Sequence, residues 1–323
     1  MSATRIGFIG TGIMGGHMAR RLAQAGFAVS AWNRSPGKAE ALERFGVAVA
    51  AEAAEAARHA DVVIAMLSSG PVCDDVLFGA KAVADAMSSR STLVVMSSIP
   101  VETARRQGEL TVQRGIRYVD APVSGGEKGA DEGTLAIMAG GEADTIDALK
   151  PVFAALGRVT HVGPAGAGSL AKLANQLIVA SNICAVAEAL LLAERGGADP
   201  ARVREALLGG FADSTVFRQH GRRMIEADFA PGGPAKYQVK DTGTALAFAA
   251  SLGLTLPVAT EVDRIFRGLV ENGGGDLDHS AAIVELRRIN PRYWQAGASG
   301  RFLAASRKAG QCIVAPKLPR SDA

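Results

Sequence analysis

The sequence predicts an α/β fold in which an N-terminal, doubly wound parallel sheet is followed by an all-helical C-terminal domain. Three observations carry this expectation. Apolar, strand-like runs alternate with helical patterns from the N-terminus to about residue 163, the alternation that builds parallel sheets through right-handed helical crossovers. The first run, "TRIGFIG", passes directly into "GTGIMGGHMARRLAQAG", a glycine turn that opens a helix. Beyond Gly163 the strand signal stops and only helical periodicities remain. At 323 residues the chain also exceeds one typical core, so more than one domain is expected.

"TRIGFIG" has the short apolar run of a buried parallel strand. The turn after it sets Gly10, Gly12 and Gly15 in G-x-G-x-x-G spacing, with Ile13 and Met14 between them. Met18, Ala19, Leu22 and Ala23 follow at helical spacing, and Gly26 is a plausible stop. A second strand, "FAVSAWNR", comes next. In this context the first glycine permits the tight turn, the second lets the backbone approach a pyrophosphate, and the third lets helix and strand pack closely. The helix start offers unpaired N–H groups to the phosphates. FAD-binding and methyltransferase folds use similar turns, but the strand–turn–helix–strand order favours a dinucleotide site of the Rossmann type.

About 20 residues further on, NAD-binding chains place Asp or Glu to hold the ribose. Here stand Asn33, Arg34 and Ser35. A carboxylate would repel a 2′-phosphate, whereas Arg34 can form charge-assisted bonds to one, with Asn33 and Ser35 as neutral donors. An exposed turn arginine is the other reading of Arg34. The expected cofactor is NADP(H), ahead of NAD(H).

The alternation continues through "AEAAEAARHA" (helix), "DVVIAML" (strand), "SSGPVCDDVLFG" (loop into helix), "STLVVMSS" (strand), "PVETARRQGELTVQRG" (helix) and "IRYVDAPVSGG" (strand and loop). Ligands of such sheets lie beyond the carboxyl ends of the strands. That singles out Met66, Leu67 and Ser68, and the "SSIP" loop with Ser97, as further cofactor contacts. In "PVSGG" the Ser124 hydroxyl and the N–H groups of Gly125 and Gly126 make a small nest suited to a carboxylate; a glycine-rich connection without a ligand is the alternative. "TLAIMAGG" and "RVTHVG" read as additional strands, completing a domain over 1–163. Helices over 166–196, 199–209, 214–227, 235–252, 257–271 and 279–290 then form an all-helical domain over 164–290. A tail over 291–323 lacks clear periodicity.

The first of these helices is apolar nearly all round, yet it carries Lys172, Asn175 and Gln176 on one face. A buried lysine costs several kcal/mol unless it is paired, neutralised or used; a lysine reaching out to water is the plain alternative. "KYQVKD" adds Lys240 beside Asp241, readable as a surface ion pair or as part of a site.

Composition narrows the function classes. Hydrophobic residues at 48% and charged residues at 21% are ordinary for a globular chain. A net charge of +3 points neither to nucleic acid nor to an anionic membrane. Cys73, Cys184 and Cys312 form no CxxC pair and the five histidines show no ligand spacing, so neither a disulfide frame nor a metal site is expected. The N-terminus lacks a secretory signal pattern. The apolar run from Leu177 to Ala193 contains Ser181, Asn182 and Glu188 and falls short of a membrane span of about 20 residues. A buried helix in a cytoplasmic protein is the expectation, with no membrane partner.

Taken in order, "GFIGTGIMGGHMA", "NRS", "MSS", "DAPVSGGEKGADEGTLAIMAGG", "GAGSLAKLANQ" and "KD" resemble the β-hydroxyacid dehydrogenase family over about residues 4 to 290. The DAPVSGG and GxGxxxK segments are the specific ones. The resemblance implies a Rossmann domain plus a helical domain that also joins copies into a homodimer or homotetramer. It implies Lys172 as catalytic acid/base, with Ser124, Gly125 and Gly126 on the carboxylate of a small acid substrate. Asn175 and Gln176 would orient that substrate, Ser97 or Ser98 would lie near the nicotinamide, and Lys240 by cofactor and substrate. "KLANQLIVASN", "GGFADSTV" and "NGGGDLDHSA" are most similar to the branch that reduces tartronate semialdehyde (2-hydroxy-3-oxopropionate) to glycerate; 3-hydroxyisobutyrate, glyoxylate and succinic semialdehyde are the alternative substrates.

Three departures bear on this. Asn33 before Arg34 replaces the Asp common in NAD-using members, Ser68 replaces the usual Pro after "ML", and "FAPGGPAKYQVKDTGTAL" differs from the commoner "F-P-G-F…KDL". A catalytically silent NADPH-binding module would be expected to have lost the lysine, and imine reductases of this type usually carry another residue there.

Overall fold

The computed structural model describes residues 4–80 and 82–291; Cys312 and the expected tail lie outside the described residues, apart from Pro291. Two compact units emerge. One comprises the chain up to Ser181 together with Tyr237–Asp263; the other comprises Asn182–Lys236 together with the described residues from Arg264 onward.

The first unit is built on a nine-stranded sheet: β1 (Arg5–Ile9), β2 (Ala28–Trp32), β3 (Ala48–Val49), β4 (Val62–Ala65), β5 (Thr92–Val95), β6 (Arg117–Asp120), β7 (Val123–Ser124), β8 (Leu135–Gly141) and β9 (Gly157–Gly163). The order is β3-β2-β1-β4-β5-β6-β8-β7, with β9 paired to β8. From β3 to β6 every pairing is parallel, and the reversal of strand order beside β1 is the switch point where such sheets bind ligands. β4 and β5 are buried along their whole length, as their unbroken Val/Ile/Leu/Ala runs require with helices on both faces.

Alternation alone predicts more parallel strands, but the chain turns back after β6. β8 runs antiparallel to both β6 and β7, and β9 then lies parallel to β8. The "VSGGEKGADEG" segment is too short for a full helical crossover of a dozen or more residues and folds as a tight excursion instead.

One core face gathers Phe8, Met18, Leu22, Ile64, Leu135 and Phe153, all essentially inaccessible to water. A smaller cluster joins Val101 to Leu173, Ala245 and Phe248. That cluster is why the compact unit extends past the expected boundary at residues 163/164: the first turns of the long helix Ala167–Arg195 and much of the helix Ala235–Ser251 bury their apolar faces with the sheet's own helices. The second unit contains the helices Pro200–Leu207, Thr215–Glu226 and Ala282–Ile289. Asp199 caps the first of these through the Ala201 N–H and Ser214 the second through the Phe217 N–H.

Phe153 sits at 0% exposure in the sheet core. Phe153→Ala is expected to cost about 3–5 kcal/mol of stability, read as a lowered denaturant midpoint with an unchanged slope.

Candidate active site

The glycine turn shows the three roles its spacing demands. Gly10 has φ +100°, and a Cβ there would stand 2.4 Å from the Met66 carbonyl oxygen, so β1 and β4 meet backbone to backbone. A Cβ on Gly15 would fall 2.0 Å from the Gly10 carbonyl oxygen. A Cβ on Gly12, by contrast, would meet nothing within 4 Å. The helix Ile13–Gln24 begins there with no capping side chain and no acid in its first turn. Its N–H groups and positive dipole end are therefore left for an anion, and the residues present fit a dinucleotide pyrophosphate. A hollow of about 440 Å³ beside the turn is lined by Thr11, Gly12 and His17 and also by Lys38 and Arg44. Neither of those last two cations stands out in the sequence, where both look like ordinary solvated charges.

Arg34 and Ser35 are exposed at the end of β2. Asn33 is committed inward: its Oδ1 accepts the Thr11 N–H at 3.0 Å and its Nδ2 donates to the Ser35 carbonyl at 3.0 Å. It braces the glycine turn, and the outward donors beside it are Arg34 and Ser35. Ser97 differs from expectation in the same way. Its hydroxyl is fully buried, accepts the Leu67 N–H at 2.7 Å and donates to the Ala65 carbonyl at 3.4 Å. That side chain ties the loops after β4 and β5 together, which leaves Ser68, exposed, and Ser98, half-buried, facing outward. Met66 packs partly onto the core.

Ser124 ends β7, paired with Ala136 of β8. Gly125 and Gly126 have φ +138° and +63°, a left-handed backbone that favours glycine at both positions, and a Cβ on Gly126 would meet nothing within 4 Å. The helix that follows, Gly126–Glu132, is held to the phosphate helix by His17, which reaches Glu127 at 3.3 Å and Asp131 at 2.8 Å.

Lys172, Asn175 and Gln176 do share a partly buried face of the long helix. Asn175 Nδ2 donates to Gln176 Oε1 at 2.9 Å, and Gln176 Nε2 donates to Asp241 Oδ2 at 2.6 Å. Lys240 lies 3.4 Å from the same carboxylate. Burial pushes the Lys172 ammonium below the ordinary lysine value; the Asp241 charge opposes this and the Lys240 charge adds to it. Asp241 is thus the hub joining the two helices, a role that the dipeptide "KD" does not reveal.

Asp120, at the end of β6, is completely buried. Its Oδ1 accepts the Gly166 N–H at 2.7 Å and its Oδ2 the Ser169 N–H at 2.6 Å. Burial pushes its carboxyl up to about 6 although both donors pull the other way. The slimness of Gly168 serves the protein's own packing, since a Cβ there would stand 2.4 Å from the carbonyl oxygens of Asp120 and Met138.

In the second unit, ligand-type atoms of His220, Asp278 and His279 lie within 4.8 Å of one another, a convergence of distant positions that sequence spacing cannot show. Asp278 already accepts the N–H groups of Gly232, Gly233 and Ser280 and the Ser280 hydroxyl, and Arg223 stands 3.2 Å away. With its lone pairs engaged and a guanidinium beside it, the carboxylate works as a knot of the fold rather than a cation ligand. Burial holds His279 down to about 4.

A parallel sheet with an uncapped glycine-turn helix at its switch point is the architecture of a dinucleotide-binding domain, and comparison with known proteins gives the class: a nicotinamide-dependent oxidoreductase. Residues 5–163 match the family described as the NAD binding domain of 6-phosphogluconate dehydrogenase, and residues 166–286 the family described as NAD-binding of NADP-dependent 3-hydroxyisobutyrate dehydrogenase. The chain is 44% identical to 2-hydroxy-3-oxopropionate reductase of Escherichia coli over 87% of its own length and 97% of the relative's. It is 33% identical to glyoxylate/succinic semialdehyde reductase 1 of Arabidopsis thaliana, over 87% and 98%. Among solved structures, 3-hydroxyisobutyrate dehydrogenase of Mycobacterium tuberculosis with L-serine superposes with a TM-score of 0.81 at 33% identity, over 88% of this chain and all of that one. The chain belongs to the 3-hydroxyisobutyrate dehydrogenase-like family of β-hydroxyacid dehydrogenases.

Gly15→Ala must push the phosphate helix off β1. Its dissociation constant for the dinucleotide is expected to rise about 10-fold or more, a loss of about 1.4 kcal/mol, by fluorescence titration.

Proposed function

We propose that this enzyme reduces tartronate semialdehyde (2-hydroxy-3-oxopropionate) to glycerate with NADPH. The observation that carries the substrate is the 44% identity to the E. coli 2-hydroxy-3-oxopropionate reductase along nearly its whole length. The cofactor preference rests on the exposed Arg34 at the end of β2, where a carboxylate would select against a 2′-phosphate.

The nicotinamide, when bound, supplies the hydride for the carbonyl carbon. The chain's own task is to hold the carbonyl in place and give its oxygen a proton. Ser124 with the N–H groups of Gly125 and Gly126 anchors the substrate carboxylate. Asn175 and Gln176 orient the substrate beside Lys172, and Lys240 stands by cofactor and substrate. Lys172 Nζ donates the proton in reduction and accepts it in oxidation. A lysine with an ordinary pKa would hold its proton too tightly to exchange it near neutrality, and burial shifts Lys172 in the direction that eases the exchange. The exposed Ile178 and Leu192 on the long helix support a homo-oligomer formed through the helical part, which light scattering would detect.

Lys172→Ala is expected to keep NADPH binding while kcat falls about 10²–10⁴-fold; near-normal turnover would refute the assignment. Because the pKa of Lys172 is lowered, reduction should weaken as pH rises through that value and oxidation should strengthen. Both limbs should vanish in the alanine variant. Arg34→Ala should raise the KM for NADPH about 10-fold, a loss of about 1.4 kcal/mol, and leave that for NADH unchanged. A panel of tartronate, methylmalonate and succinic semialdehydes and glyoxylate tests the substrate, and a better kcat/KM on any other member overturns it.

A further inference from the structure

We propose that Asp120 is a positioning residue for the reaction: its carboxylate fixes the first turn of the Lys172 helix against the end of β6 and so sets where Lys172 stands relative to Ser124. This rests on the reading of Lys172 as the acid/base.

The geometry is that of a buried carboxylate plugging a helix start. The first N–H groups of a helix have no partner within it, and Asp120 takes two of them, from Gly166 and Ser169, one on each oxygen. The Gly166 φ of +91° brings the chain into this arrangement. Capping from a side chain inside the helix's own sequence would satisfy the same groups at lower cost, because a buried carboxylate must lose its water. What a carboxylate from another element adds is location: it fixes the helix in height and in rotation against the sheet.

Two close approaches leave that joint no slack. A Cβ on Gly140 of β8 would stand 2.5 Å from Asp120 Oδ1 and 2.6 Å from the Gly168 nitrogen. A Cβ on Gly168 would stand 2.4 Å from the carbonyl oxygens of Asp120 and Met138. The helix backbone therefore lies directly on the edges of β6 and β8, with glycine on both sides of the carboxylate.

From this joint the two working groups are each a short, stiff step away. Lys172 follows Ser169 by three residues, about 4.5 Å along the helix axis. Ser124 follows Asp120 by four, through Ala121, Pro122 and Val123, all buried, the last of them paired with Ile137 of β8. One carboxylate thus holds the acid/base and the substrate's carboxylate anchor to a common origin. A displacement of about 1 Å in such an arrangement can cost about 10²-fold in rate.

The test compares D120N, G168A, K172A and the double variant D120N/K172A in the full chain, with NADPH and tartronate semialdehyde as probes. An asparagine has the shape of Asp120 but must present an amide N–H to one of the two helix donors; G168A keeps the carboxylate's charge and crowds the same joint, its Cβ falling 2.4 Å from the Asp120 and Met138 carbonyl oxygens and 3.0 Å from Asp120 Oδ2. D120N and G168A are each expected to lower kcat about 10²-fold with NADPH affinity within a few-fold of the wild type. D120N should add no further loss to the residual turnover of K172A, since it acts through the lysine. Wild-type kcat in folded D120N overturns the proposal, as do losses that multiply in the double variant. Failure of both D120N and G168A to fold also overturns it, because the carboxylate would then serve the fold as a whole. K172A with near-normal turnover sinks the acid/base reading itself, whereas an inactive K172A beside an active D120N sinks only this inference.

Discussion

The N–H groups at a helix start have no partner inside the helix, and at the carboxyl edge of this sheet two such starts are resolved in opposite ways. Before Ile13–Gln24 the chain leaves the groups bare: Gly12 has empty space above it, no side chain caps the turn, and no acid competes in the first turn. Before Ala167–Arg195 the groups are filled from within the protein by Asp120. The first solution leaves a site suited to phosphate, the second fixes the helix that carries Lys172 against the sheet. Dinucleotide binding, the placing of Lys172 and the packing of the long helix on β6 and β8 all depend on which solution is used where.

Around Lys172 the electrostatics are a balance of three influences. Burial favours the neutral amine, Lys240 reinforces that, and Asp241 restores part of the charge. Asp241 does so while held by Gln176 at 2.6 Å and lying 3.4 Å from Lys240, so its negative charge is shared rather than spent on Lys172 alone. A direct, dry Lys172–Asp241 pair would lock the proton in place. Sharing the carboxylate weakens the pull that opposes the lowering of the Lys172 pKa.

The parallel sheet, its glycine turn and the run of helices after Gly163 were legible in the sequence because each rests on local chemistry: periodicity and glycine spacing. Lys172 was legible as a conflict, a cation in an apolar helix. The features that were not legible all depend on partners far along the chain. Asp120 looks like one more residue of a loop motif until Gly166 and Ser169, 46 and 49 positions on, are seen to donate to it. Asn33 and Ser97 read as outward donors from their place after strands, whereas in the fold Thr11 and Leu67 claim them. The antiparallel turn of β7 and β8 escaped for a different reason, since strand patterns carry no direction.

The long helix also has a consequence for how such a protein can be rebuilt. It passes without interruption from the unit that holds the site into the other, the change of unit falling between Ser181 and Asn182 in mid-helix. A second change of unit falls between Lys236 and Tyr237, one turn or less into another helix. Neither junction is a linker. Recombination between relatives that cut at either point would sever a hydrogen-bonded rod instead of a loop, so a chimera of the two units would have to keep both helices whole.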